Sequence, residues 1–216
     1  MNEWDQLQKY DPPLWVLKKK EDVREIEEMI RSDKNAIALW HKMRDYHEIT
    51  YLHGINVCRS IIELGVYREY PTEKILNMAV AGLLLDIGYL DIPKSYLDAK
   101  SSLTVDQFKE IKKHPESGAK YAKEAGLSEE IQMFILNHHE SPDGTGYPDG
   151  KRETQLTVEQ MIVRIADMYQ AMQEKRTYRT PKAECEAFEQ VAYMSSQTEE
   201  YKAVTDLKIA HFLYSV

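Results

Sequence analysis

Two adjacent histidines, His138 and His139, run directly into Glu140, Pro142, Asp143 and the segment Gly144-Thr145-Gly146-Tyr147-Pro148. They close a helical pattern and are followed by a glycine and proline loop, so two neutral metal-binding side chains stand beside a backbone able to line a site. Of the seven histidines, His53 and His114 also have informative neighbours: the first follows Thr50 in an apolar helix and the second precedes Pro115. Asp86 ends the apolar run LLLDIG and Asp167 sits inside MIVRIADMYQAM, which places both carboxylates in partly buried surroundings. A buried carboxylate is destabilising unless a cation or hydrogen bonds compensate it, and a metal ion does so. Imidazoles and carboxylates converging from separate helices form a mixed N/O environment suited to iron, manganese or zinc. On a helix His138 and His139 point about 100° apart, so they serve neighbouring metals, or one metal and one substrate phosphate.

Each of these residues also has an ordinary reading. His53 can be a hydrogen-bonded core histidine, and His114 a C-terminal cap that complements a helix dipole. Asp86 can bind the amides of the turn at Gly88, and Asp167 can pair with Arg164 or Arg176. His41, His47 and His211 read as surface or structural residues.

The elements that must position this set are helical. Val23, Ile26, Met29 and Ile30 are spaced as one apolar face, as are Leu39, Trp40, Met43 and Tyr46, and no alternating strand pattern competes. Thr104 to Gln107 and Thr157 to Gln160 each fit a capping box and predict helix starts. Gly126 reads as a helix stop, Gly88 closes the apolar run Met78 to Leu85, and Pro71, Pro93 and Pro148 mark linkers. These signals predict an all-α protein of about eight to ten helices. Residues 1–45 are expected to form an N-terminal helical extension and residues 46–216 the domain carrying the site.

A chain of 216 residues can bury a substantial core without staples. Its 28 Lys and Arg against 36 Asp and Glu leave a net charge of −8, which disfavours long nucleic acid as a partner. The two cysteines, Cys58 and Cys185, match no metal or secreted framework, and a cytoplasmic location is expected. The apolar run 78–85 falls far short of the roughly 20 residues of a membrane span, so no membrane association is expected.

Taken in order, His53, Asp86 before Ile-Gly, His114-Pro115, His138-His139-Glu140, the Asp143 to Pro148 segment, and Asp167 with Tyr169 and Ala171 resemble one family. The chain is similar to the HD-GYP branch of the HD metal-dependent phosphohydrolases, from about His47 to about Thr180. The resemblance implies an HD-domain helical bundle holding two or three metals, commonly iron or manganese, and hydrolysis of the cyclic dinucleotide cyclic di-GMP. Such metals lower the pKa of a water and offset charge developing on phosphorus oxygens. It further implies one metal held by Asp86, His114 and His138 or His139, and another held by His53, Asp86 and Asp167. Asp86 would bridge the two as the central catalytic carboxylate. Tyr147, Arg176 and Arg179 would contact substrate, the arginines through forked donors to phosphate.

Three positions depart from that pattern. Leu85 stands where the family has the histidine of its HD dyad, Tyr89 where it has a lysine, and Gln170 where it has an aspartate. Two outcomes follow: a phosphodiesterase of reduced activity, or an inactive domain that binds a nucleotide or small phosphoester, or meets a signalling protein through its GYP loop. A third reading is a structural helical domain with a histidine core. Amphipathic helices outside the core leave a homodimer open.

Overall fold

The computed structural model describes residues 14–99, 101–174, 182–195, 204–208 and 210–211. Its helices are α1 (Leu14–Ser32), α2 (Lys34–Tyr46), α3 (Glu48–Tyr67), α4 (Thr72–Leu84), the short α5 (Lys94–Leu97), α6 (Val105–Ile111), α7 (His114–Glu124), α8 (Glu129–Asn137), α9 (Val158–Gln173) and α10 (Glu184–Ser195). A 3-10 turn, Ile87–Asp91, follows α4. Among the described residues there is no named strand, and one isolated bridge, Asp143 to Arg152, closes the loop after α8. None of the described helices is long and apolar enough to cross a membrane.

Helix boundaries follow local chemistry. Thr104 and Thr157 both form complete capping boxes, with Gln107 and Gln160 returning the hydrogen bond. Asp33 caps α2 by accepting from the amides of Asn35 and Ala36. α7 ends at Glu124, and Gly126 takes φ +76°, the left-handed turn that lets Leu127 N–H reach the carbonyl of Ala122. His47 is buried and structural: it caps α3 by accepting from Thr50 N–H.

At the centre, α3 and α4 pack together, with α9 against both and α8 against α4. Ile61, Leu64, Met78, Leu84, Ile135, Ile162, Ile165 and Tyr169 are fully buried in this core, each worth about 1.5–3 kcal/mol for an aliphatic side chain removed from water. Close approach comes from small residues: a Cβ at Gly54 would lie 2.5 Å from the carbonyl oxygen of Leu83. α1 and α2 lie on α3 and α4, and Val23, Ile26, Ile30, Leu39 and Met43 join the same core. Met29 does not share that face as its spacing suggested. It is 41% exposed, because a stripe through positions 23, 26 and 30 leaves position 29 at its edge.

The 3-10 turn after α4 packs on α7 so tightly that a Cβ at Gly88 would sit 2.0 Å from the carbonyl oxygen of His114 and 2.7 Å from the amide nitrogen of Gly118. Backbone meets backbone there, and nothing flexible can yield. Gly88→Ala is therefore expected to lower stability by about 3 kcal/mol or more, read as a drop in the urea midpoint; an unchanged midpoint would show that the turn and α7 are not in register.

Candidate metal centre

Asp86 occupies the junction where α4 gives way to the 3-10 turn, with φ −96° and ψ 9°. Its carboxylate makes no cap hydrogen bond to the turn, so the turn-binding alternative does not hold. Instead Oδ1 lies 3.2 Å from Nε2 of His114. His114 opens α7 with Pro115 in the first turn, at the start of a helix and not in the C-terminal cap position that proline context also allowed. His138 follows the last residue of α8 in a helical conformation, which carries its ring toward α7.

The tautomers of these buried rings follow from their neighbours. Nδ1 of His114 is 2.8 Å from the carbonyl of Ile111, and Nδ1 of His138 is 2.6 Å from the carbonyl of Ile135. A carbonyl only accepts, so each Nδ1 carries the proton and each neutral Nε2 presents a lone pair. Those two Nε2 atoms face each other at 3.1 Å, beside the carboxylate of Asp86. Lone pairs cannot be held so close to each other and to an anion unless a cation lies among them, either a proton on one ring or a metal ion. The proton is disfavoured at two rings: burial, then the neighbouring His114, lowers the pKa of His138. Burial, then His138 and His114, lowers that of His139 well below its ordinary value.

His139 completes the set. One ligand atom from each of Asp86, His114, His138 and His139 lies within 4.8 Å of the others, and no other such group occurs among the described residues. Adjacent histidines therefore converge on one point instead of diverging by the helical angle, because α8 ends before them and the chain turns. Three imidazoles and a carboxylate, two of the rings oriented by backbone carbonyls behind them, fit a divalent transition metal.

The other predicted ligands stand differently. Both nitrogens of His53 face carboxylates, Nε2 at 2.9 Å from Oδ1 of Asp167 and Nδ1 at 2.9 Å from Oε1 of Glu174. Burial opposes a charge on His53, but hydrogen bonds to the two carboxylates outweigh it and raise its pKa to about 10. Asp167 links the two halves, since its Oδ2 lies 3.9 Å from Nδ1 of His139. Its partners are thus histidines first. Leu85 is buried in the apolar core, the Tyr89 ring packs against His114 at 4.3 Å with the planes tilted by 43°, and Gln170 donates to Ser60 at 2.7 Å. Arg176 and Arg179 lie outside the described residues.

The loop after His139 is anchored from beneath. Glu140 is fully buried and accepts from the amides of Asp149 at 2.7 Å and Lys151 at 2.8 Å. Gly146 lies so close that a Cβ there would meet the amide nitrogen of Ser141 at 2.3 Å. Tyr147 N–H bonds the carbonyl of His139, and its ring lies 4.7 Å from the His139 ring. Burial, then the charges of Asp167 and Asp86, pushes the Tyr147 hydroxyl pKa up.

Two functional residues escaped sequence reasoning. Glu174 stands seven positions after Asp167, on the same face two turns on, and that spacing was the available signal. Glu140 was visible inside the histidine motif, but its two amide partners lie nine and eleven residues downstream.

Residues 27–201 match the family model of the HD domain. The chain belongs to the HD-domain family, in its HD-GYP branch. Over 171 residues it is 30% identical to "Cyclic di-GMP phosphodiesterase PA4108" of Pseudomonas aeruginosa, covering 79% of this chain and 41% of that protein. The chain thus spans less than half the length of that relative. Its fold matches Bd1817, a "HDG"Y"P protein" from Bdellovibrio bacteriovorus, with TM-score 0.62 and 18% identity, covering 90% of this chain and 69% of that one. It also matches the PgpH phosphodiesterase HD domain of L. monocytogenes in complex with cyclic-di-AMP, with TM-score 0.61 and 18% identity, over 82% of this chain and 94% of that one.

Two measurements test the metal centre and its loop. Manganese at a hundred times its Kd is expected to add about 2.7 kcal/mol of stability, a rise of roughly 5–10 °C in Tm, reversed by chelation and shrinking only below the ordinary histidine range, as pH falls to the lowered pKa values of His138 and His139. A shift of equal size in His138→Ala would place the metal elsewhere. Glu140→Ala is expected to speed hydrogen exchange at the amides of Asp149 and Lys151 while amides within α9 keep their protection; uniform loss across the chain would make Glu140 a global core residue and not a loop anchor.

Proposed function

We propose that this chain is a metal-dependent phosphodiesterase acting on a cyclic dinucleotide, with cyclic di-GMP as the substrate. The observation that carries the reading is the convergence of the His114 and His138 Nε2 lone pairs, with His139, on the Asp86 carboxylate. The printed activity of the Pseudomonas relative supports the substrate class, and a cytoplasmic location fits a soluble second messenger. A divalent ion held by these four residues supplies Lewis acidity, lowering the pKa of water and offsetting charge on the phosphoryl oxygens; iron and manganese are the proposed ions, with zinc suited to the same donors.

The chain's own residues do the rest. The Ile111 and Ile135 carbonyls hold two imidazoles in the ligating tautomer. Asp86 supplies the anionic ligand: burial favours its neutral acid, but its contact with His114 and the positive charge of His53 outweigh that and lower its pKa, so the group is ionised at neutral pH. Tyr147 packs its ring against His139 at 4.7 Å. His53 and Asp167, set toward a second metal by the family resemblance, are joined here by a direct ion pair, with Glu174 on the far side of the ring.

That ion pair, together with the apolar Leu85, favours a centre that fills one position strongly and the second weakly, and turnover reduced accordingly. Leu85→His restores a ligand beside Asp86. We expect it to raise metal content toward two ions per chain and to increase kcat for cyclic di-GMP at saturating manganese. Wild-type protein loaded with metal that releases no linear dinucleotide or GMP from cyclic di-GMP, together with a Leu85→His variant equally inert, would leave the inactive binding module as the function.

A further inference from the structure

Beside the metal centre lies a cavity of about 250 Å³ whose walls include His139, Tyr89, Tyr96, Phe108 and Tyr147. His139 belongs to both places, so the cavity opens directly onto the proposed ligand set. Four aromatic rings line this slot together with the aliphatic side chains of Ile49, Leu97, Leu103 and Ile111, and two of the rings are held by the centre itself. The Tyr89 ring packs at 4.3 Å on His114, and the Tyr147 ring at 4.7 Å on His139. Phe108, on α6, is 48% exposed although it is a large apolar side chain.

A cation standing over two of these rings bears on the occupant. The ammonium of Lys112 stands 5.1 Å from the centre of the Phe108 ring and 4.9 Å from that of Tyr147. A cation over two rings at the rim attracts an anion, whereas an apolar peptide side chain entering the slot would gain nothing from it. The space is below the range of a site for a whole drug-sized ligand and suits one planar ring system. A planar base attached to a phosphate satisfies both features, because bases stack on aromatic faces with little regard to sequence.

Resting on the phosphodiesterase reading, we propose that this slot holds one nucleobase of the substrate against the Phe108 ring, with Tyr89, Tyr96 and Tyr147 closing it, while Lys112 holds the attached phosphate. In this chain the ring of Tyr89 thus contributes a stacking wall at the position where its relatives' pattern has a cation, and Lys112 brings a cation from α6's end to the same rim.

The test compares GMP with ribose 5-phosphate, which keeps the sugar and phosphate but has no base, by calorimetric titration of manganese-loaded protein. Wild type is expected to bind GMP at least about tenfold more tightly than ribose 5-phosphate. Phe108→Ala should remove most of that advantage, leaving ribose 5-phosphate affinity and metal content unchanged, and Phe108→Trp should retain it. Lys112→Met should weaken both ligands alike by about tenfold. Equal affinities of wild type for the two ligands, no binding of either, or an equal loss of both in Phe108→Ala would overturn the base slot; ribose 5-phosphate affinity untouched in Lys112→Met would overturn the placement of phosphate at the rim. A base advantage in protein that does not hydrolyse cyclic di-GMP would retain the slot and discard only the catalytic reading.

Discussion

The convergence of His114 and His138 constrains the rest of this molecule. Each ring is tied through Nδ1 to the carbonyl three residues before it, so the remaining nitrogens have no choice of direction and meet at 3.1 Å beside an ionised aspartate. Such a cluster is stable only with positive charge inside it. The start of α7, the end of α8 and the junction after α4 must all arrive at one point, and the contacts of those segments are correspondingly close. Gly88 is the clearest case, since the junction bearing Asp86 can approach the first turn of α7 only without a side chain at that position.

Around this point the protein uses two kinds of support. The apolar core of α3, α4, α8 and α9 fixes helix positions through burial, which is strong but non-directional. Hydrogen bonds supply the direction: carbonyls orient the two buried histidines, Asp167 and Glu174 grip His53 from opposite sides, and Glu140 gathers the amides of Asp149 and Lys151. The loop that bears Tyr147 is therefore a rigid wall of the site, although it contains no regular helix or strand. A site built from helix ends and a clamped loop can be altered at single positions, as at Leu85, Tyr89 and Gln170, without disturbing the bundle that carries it.

On the proposed reading, one half of the centre departs from the family pattern while the other keeps it. Leu85 has joined the apolar core, Gln170 bonds Ser60, and His53 has carboxylates at both nitrogens. Each group has found a local partner that makes no demand for a second ion. The four-residue set beside them has no such substitute, because His114 and His138 are already committed to carbonyls on one side and to each other on the other.

Much of this was legible in the chain alone. Helix periodicity, the capping boxes at Thr104 and Thr157, the stop at Gly126 and the ordered spacing of histidines and aspartates are local properties, determined by residues within a turn or two of each other. They established an all-helical fold and named the residues that gather at the site. Spacing could not show that His138 and His139 reach one point, that Glu174 lies against His53 across 121 positions, or that Lys112 stands over Tyr147. Such contacts depend on where a helix stops and how the next segment turns, and they are set by packing between elements distant in sequence. Local patterns therefore chose the helices and the chemical groups, while tertiary packing decided which lone pairs meet, which carboxylates pair, and which aromatic rings enclose a slot.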